Sequence, residues 1–541
     1  MGIKKYCIGD IGRLKKAKII QQGIVFGRKH KFSLLLIIIL FLAFFLRFWQ
    51  LNRIPPGLYP DVAINGNDAW EALRTGSFKV FYPANNGREG LFINLIAFSF
   101  YLLGHSIWAI KVVPALLGFL TVLGIYLLTK ELFDKKIALI STFFLAVCFW
   151  HLNFSRLGFR AIMLPFVLVF SFYFLFRGLR TRRFLNFILG GLFFGLGLHT
   201  YISWRLAPLI LIIWVGIYCI TEKKFFFDYW SRLLVFILSA LVSAFPLLFY
   251  FYKHPADFMD RASDVSVFRQ PRFLQLIFLN TLKALGMFNI FGDANWRHNL
   301  SGAPMFTFLL GLFFAGGLIL AIIKIIRNKN STQRFILFFL LLWFIVMLLP
   351  TILSAEGIPH ALRALGVLPA CLILAAYFLD WFFQLKFWQK ISANRKMIVL
   401  FILLITIGLA ETTRYFIIWG RNPEVYAAFN QNFVNMGNYL NSLPFGTVKY
   451  VVANEPGVLV NGLPMPVQTV KFITWEKSYP RYILPEDLLK INFSSSPTAI
   501  VLMKKDDILL NALSKKFKNG RIEKIDLIPG TKSEFFVFKI D

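Results

Sequence analysis

The side chains able to do acid–base chemistry are few. The first 420 residues hold sixteen acids, so a general base has to come from a short list. Asp61 stands out by its setting. It follows Pro55-Pro56-Gly57-Leu58-Tyr59-Pro60 and precedes Asn65-Gly66-Asn67-Asp68-Ala69-Trp70-Glu71. Proline restricts the backbone, so an acid placed here is held rigidly. The plainer alternative is a solvated loop in which Asp61 caps a helix over 62–74. A second polar stretch, Asn85-Asn86-Gly87-Arg88-Glu89-Gly90, lies in the same segment.

Four other stretches carry cations and imidazoles: Phe154-Ser155-Arg156-Leu157-Gly158-Phe159-Arg160, His199-Thr200-Tyr201-Ile202-Ser203-Trp204-Arg205, Gly292-Asp293-Ala294-Asn295-Trp296-Arg297-His298-Asn299, and Ser354-Ala355-Glu356-Gly357-Ile358-Pro359-His360-Ala361-Leu362-Arg363. Guanidinium forks bind phosphate oxygens in pairs. Arg156, Arg160, Arg205 and Arg363 converging with His199, His298 and His360 would make a site for an anionic headgroup. Taken singly, each Arg is explained by snorkelling toward phospholipid. Metal chemistry has weaker support. No HExxH or paired His/Cys spacing occurs, and Asp61 and Asp68 sharing a divalent cation is the one arrangement the spacing offers. There is no Walker A, GxGxxG or GxSxG stretch in a suitable context.

The elements that must position these residues are membrane helices. Of 541 residues, 57% are hydrophobic and 16% charged, with 63 Phe; soluble domains carry more charge and less apolar content. The composition excludes a cytosolic enzyme, a disordered chain and a secreted disulfide scaffold. Net charge is +32, which fits Lys and Arg holding cytoplasmic loops against anionic lipid rather than binding nucleic acid. Apolar runs long enough to span fall at 33–50, 108–129, 137–151, 162–177, 184–200, 206–221, 231–252, 303–326, 335–353, 361–384 and 397–419. Two shorter stretches, 91–104 and 273–290, would raise these eleven spans to twelve or thirteen. Basic clusters at Lys130/Lys135/Lys136, Arg177–Arg183, Lys223/Lys224, Lys324–Arg334 and Lys386–Lys396 all become cytoplasmic if both stretches are interfacial or re-entrant on the outer side.

The expected architecture is therefore an all-α polytopic bundle. A basic cytoplasmic tail covers 1–32 and the membrane domain 33–420. Within the latter, outer loops cover 51–107, with juxtamembrane helices, and 253–302. Residues 421–541 read as a small extracytoplasmic α/β domain, with strands over 447–453, 467–473, 498–503 and 533–540 and helices over 423–443 and 505–518. On this topology Asp61, Asp68, Glu71, Glu89, Asp257, Asp260, Asp264, Asp293 and Glu356 are outer acids. Glu411 faces the cytoplasm or sits inside the last span.

An acid in the first outer loop, a juxtamembrane helix before the second span, Arg-bearing outer loops and a C-terminal α/β domain together resemble the glycosyltransferase C superfamily, in its protein O-mannosyltransferase and lipid A aminoarabinose transferase branch. The family's first-loop motif is usually Asp-Glu. Here it is Asp61-Val62, with Glu89 or Asp68 as substitutes for the second acid. The resemblance implies a cell-membrane enzyme that moves a sugar from a polyprenyl phosphate to an acceptor hydroxyl of a protein, lipid or polysaccharide. It implies Asp61 as general base with inversion, Arg88, Arg160, Arg205 and Arg363 around the phosphate, and Arg156, Asp68, Glu89, His199, Tyr201, His298 and His360 among the substrate-binding residues. It implies no fixed cofactor and leaves a divalent cation open. The rival readings are a polytopic transporter, which needs charged or broken helices at the bilayer midplane, and a non-catalytic scaffold of the same fold.

Overall fold

A computed structural model describes residues 32–258, 266–327, 330–490 and 496–540. The basic tail 1–31, Asp260 and Asp264 lie outside the described residues. Among the rest, eight helices are long and apolar enough to cross a membrane: Ile107–Leu132, Arg160–Thr181, Ile202–Thr221, Lys224–Lys253, Phe308–Arg327, Ser331–Ile352, Leu365–Phe382 and Ala393–Trp419. The bent pair Lys135–Val147 and Phe149–Leu157, turning by 54°, makes a ninth if counted as one span. Phe32–Phe48 and Phe184–His199 are shorter apolar helices. Together these account for the eleven runs read from the sequence. The two shorter stretches form Gly90–Leu103 and Phe273–Gly286.

The run over 137–151 is continuous in sequence but broken in the structure at Cys148. The break frees the Phe149 amide, which donates to Glu411 Oε2 at 2.7 Å. Glu411 Oε1 accepts from the Thr307 amide and hydroxyl at 3.0 and 2.8 Å. The fully buried Glu411 thus satisfies donors at the starts of two other segments. A buried carboxylate is tolerated only when hydrogen-bonded in this way.

Arg47 and Arg156 do comparable work at helix ends. Arg156 donates to the carbonyls of Leu46, Arg47, Trp49 and Ile54 at 2.7–3.1 Å. Those of Leu46 and Arg47 belong to the last turn of helix Phe32–Phe48, which leaves its carbonyls without partners in the helix, and those of Trp49 and Ile54 lie in the turns that follow. Arg47 donates to Leu145 and Ala146 carbonyls, closing helix Lys135–Val147.

The C-terminal domain holds a five-stranded sheet in the order Arg481–Ile483, Val448–Val452, Thr498–Leu502, Phe535–Ile540, Gly520–Ile525. The first three strands are parallel and the last two pairings antiparallel. The strand expected at 467–473 is instead helix Val467–Thr474. Its β-branched residues are buried on two sides. Val467 and Val470 pack against the sheet, while Phe472 packs into the membrane domain's core, so period-2 and helical burial look alike over so short a run.

That helix lies on helix Pro60–Thr75, the element carrying Asp61. Thr469 Oγ1 donates to the Leu58 carbonyl at 2.9 Å, and Asn67 Nδ2 to Gln468 at 2.9–3.0 Å. Gly57, at φ +68°, permits the close approach between these parts, since a Cβ there would meet the Phe429 carbonyl at 2.3 Å. The C-terminal domain and the segment carrying Asp61 are therefore one packed unit.

Candidate active site

Asp61 sits in the first turn of helix Pro60–Thr75, directly after the helix-starting Pro60. A carboxylate at this position is favoured by the helix N-terminus. It borders a cavity of about 220 Å³ whose wall includes Tyr59, Asn85, Arg88, Arg160, Tyr201, Arg297, His298 and His360. Asp61 is the one carboxylate on that wall among the described residues. Asn85 Nδ2 donates to its Oδ1 at 3.0 Å, leaving Oδ2 without such a partner.

The cations around the cavity differ in how they are held. Arg88 is buried and donates to Asp68 Oδ2 at 2.5 Å, to Asn65 Oδ1 at 2.9 Å and to the Ala84 carbonyl at 3.1 Å. Burial pushes the Asp68 carboxyl up, with the Arg88 charge pulling the other way. Arg160 is paired with Glu89 at 2.6 Å and lies over the Tyr201 ring. Arg297 lies 4.0 Å from the Tyr59 ring centroid and donates Nε–H to Asn295 Oδ1 at 3.2 Å. Among the described residues it is the cavity arginine without a carboxylate partner. Its charge is the one most available to an incoming anion.

Behind the histidines stands Asp293. Its Oδ2 accepts from His298 Nδ1 at 2.9 Å and from the Ala361 amide at 2.8 Å, and its Oδ1 from the Asn295 amide at 2.8 Å. Burial raises this carboxyl, but the hydrogen bond and charge of His298 outweigh it, and the net shift is downward. Asp293 thus fixes His298 with Nδ1 turned to the carboxylate and ties loop 354–364 to loop 291–299. The His360 ring is 4.9 Å from that of His298. Burial, and then the His298 charge, hold His360 well below the usual imidazole range. Asp293, His298 and His360 offer ligand atoms within 4.8 Å of one another. Since Asp293 Oδ2 is already taken by two donors, the trio fits an oriented imidazole pair better than a three-ligand metal site. Asp61 and Asp68 are engaged by different partners, Asn85 and Arg88, and do not offer a shared cation site.

The structure thus brings Asp61, Arg88, Arg160, Tyr201, His298 and His360 to one cavity. Asp68 and Glu89 stand one step back as ion-pair partners. Four expected residues lie apart from it. Arg156 is spent on helix-end carbonyls, His199 Nε2 meets the Ser243 carbonyl at 3.0 Å, Arg205 donates to the Phe258 carbonyl at 2.6 Å, and Arg363 donates to the Glu356 carbonyl at 3.1 Å. Arg297, Asn85 and Tyr59 were in the quoted stretches, but the sequence carried no signal to separate them from their neighbours.

Residues 91–250 match the family described as Dolichyl-phosphate-mannose-protein mannosyltransferase. No curated protein sequence matches the chain. Among solved structures, ArnT from Cupriavidus metallidurans bound to undecaprenyl phosphate superposes with a TM-score of 0.56 at 13% identity, covering 94% of this chain and 98% of that one. The chain has the glycosyltransferase C fold. The Archaeoglobus fulgidus oligosaccharyltransferase, tethered to an acceptor peptide, shares this fold with a TM-score of 0.50 at 15% identity, over 85% of this chain and 64% of that one. The same archaeal enzyme, AglB, in complex with an inhibitory peptide and a dolichol-phosphate, gives 0.50 at 15% identity over 84% and 64%. The glycosyltransferase C resemblance read from the first loop and the C-terminal domain therefore holds, along with the multi-pass membrane architecture.

A second cavity lies among the membrane helices. It is an apolar groove of about 830 Å³ lined by Leu198, Trp204, Leu211, Phe236, Ala240 and Leu248, among others. It runs between helices Phe184–Leu196, Pro208–Thr221 and Lys223–Lys253. Tyr201 borders the polar cavity, and Leu198 and Trp204, on either side of it in the chain, line the groove.

Proposed function

We propose that the protein is a membrane glycosyltransferase. It takes a sugar from a polyprenyl-phosphate donor and attaches it to an acceptor hydroxyl on the extracytoplasmic face, with inversion. The observation that carries this reading is the single carboxylate of Asp61 facing Arg160 and Arg297 across one small polar cavity, beside an apolar groove suited to an isoprenoid chain.

Asp61 accepts the proton of the acceptor hydroxyl through Oδ2. The hydroxyl oxygen bonds to the anomeric carbon as the carbon–oxygen bond to phosphate breaks, and the electron pair leaves on the phosphate. Arg297 meets that phosphate directly, with Arg160 beside it, and stabilises the charge as it develops. Arg88 sets the wall of the cavity from its buried network. A phosphate leaves without needing a proton, so one carboxylate suffices and the paired acids of glycosidases are not required. Tyr201 and His298 orient the sugar, and the groove beyond Trp204 holds the lipid chain. The basic loops then face the cytoplasm and the C-terminal domain lies outside.

The test uses the full chain in lipid nanodiscs with radiolabelled polyprenyl-phosphate sugars. Expected is sugar transfer, or slow release to water, that falls by about 10²–10⁴-fold in Asp61→Asn while the variant keeps its fold. Unchanged turnover in that variant would remove Asp61 from the mechanism. Donor binding with no turnover toward any acceptor would leave a non-catalytic scaffold.

A further inference from the structure

A third cavity, of about 430 Å³, backs onto the polar one. Asn295 and His360 line both, so these two side chains form the partition. Asn280, Lys283, Asp293 and Glu356 also line this space. Its size falls within the range of small-ligand sites. His360 Nδ1 is buried without a hydrogen-bond partner among the described residues, an arrangement that leaves a buried polar atom in need of one.

Helix Phe273–Gly286 forms one side of the cavity and is divided sharply between two faces. Leu276, Asn280 and Lys283 line the cavity. Leu274, Phe278, Leu282 and Leu285 are 50–70% exposed. At 100° per residue these sets fall on opposite sides of the helix. Asn280 pins the helix by donating to the Ile352 and Ser354 carbonyls at 3.0 and 2.9 Å. Beyond its end, Ile290 and Phe291 are exposed, and Phe291 also lines the cavity. The cavity therefore has a polar interior and an apolar mouth.

We infer that this cavity is the acceptor site, and that the acceptor is an amphiphile whose hydroxylated head enters between helix Phe273–Gly286 and loop 355–360 while its hydrocarbon chain rests at Ile290 and Phe291. The inference rests on the glycosyltransferase reading above and names its acceptor class. Lys283 and Glu356 contact the head, and the His360 ring carries its hydroxyl toward Asp61 through the shared partition. Donor and acceptor thus enter by separate openings and meet at His360.

The probe is a dodecyl maltoside analogue with a diazirine in its chain, applied to the full chain in nanodiscs. Expected is photolabelling of residues 273–291 that excess dodecyl maltoside suppresses and maltose does not. Ala355→Trp, which fills the cavity from loop 355–360, lowers this labelling about tenfold, and Lys283→Glu lowers it less, while both still bind undecaprenyl phosphate. Labelling unaffected by Ala355→Trp, suppression by maltose as effective as by the alkyl glycoside, or labelling confined to the C-terminal domain would each overturn the inference, the last pointing to a soluble acceptor. Loss of undecaprenyl phosphate binding by the unaltered protein would instead count against the donor assignment.

Discussion

The guanidinium carbon of Arg297 lies over the ring of Tyr59, 4.0 Å from its centroid, and Tyr59 stands two residues before Asp61 in the chain. The proposed phosphate ligand thus rests on the short segment that carries the proposed base. Arg297 comes from loop 291–299 and Tyr59 from the segment leading into helix Pro60–Thr75, so their contact fixes the two against each other. Arg297→Ala is expected to raise the donor KM and lower kcat together, because it removes both a phosphate contact and the support of Tyr59. Arg297→Lys keeps the charge but loses the guanidinium fork over the Tyr59 ring. It should recover donor binding only in part. Steady-state kinetics on the two variants separate charge from geometry, and equal behaviour of Lys and Ala would show that charge has no part.

Arg160 and Arg88 call for a different expectation, since each already holds a carboxylate. Glu89→Gln removes the partner that aims Arg160. The loss should appear in kcat, by about tenfold or more, with little change in thermal stability. A large fall in melting temperature without a kinetic effect would make the pair structural.

Arg156 is expected to behave in the opposite way. Its guanidinium is fully buried, and five hydrogen bonds run from it to backbone carbonyls. Arg156→Met should destabilise the protein by about 3 kcal/mol or more, because those carbonyls lose a charged donor. Whatever protein still folds should bind donor normally. Unfolding in detergent, followed by tryptophan fluorescence, reads the first effect and undecaprenyl phosphate binding the second.

Much of this was legible in the sequence. The eleven apolar runs follow from hydropathy length, the strands over 447–453, 498–503 and 533–540 from their β-rich composition, and the attention to Asp61 from the scarcity of acids. What could not be read was which Arg serves structure. Arg156 and Arg160 lie four residues apart on the same rim, yet the break at Cys148 and the turn at Gly158 send one to helix-end carbonyls and the other to the cavity. Glu411 was hidden for the same reason. One of its partners, the Phe149 amide, is freed by a helix break that the continuous apolar run 137–151 conceals, and the other, Thr307, precedes helix Phe308–Arg327. Helix Val467–Thr474 was lost to its β-branched residues because both of its faces are covered.

The pH response of stability follows from His360 in the cavity wall and the buried Asp293 beside it. His360 is held well below its ordinary value of 6.5. The unfolded chain therefore binds a proton near pH 6.5 that the folded protein refuses, and acidification from there favours unfolding. Asp293 is held below its ordinary 3.8. Its contribution is complete above that value and is lost as pH falls through the lower folded pKa. The two act in the same direction in separate windows. His360→Gln should flatten the decline in melting temperature between about pH 7 and 5. Asp293→Asn should leave the decline across that upper window in place, since His360 remains, and lower stability at neutral pH by removing the carboxylate that binds His298 and the Ala361 amide. Thermal unfolding of the three proteins in nanodiscs from pH 8 to 4 tests this. An unchanged slope in His360→Gln would mean that the imidazole is protonated in the folded protein, which would also deprive it of the lone pair it needs to accept a hydrogen bond from an acceptor hydroxyl.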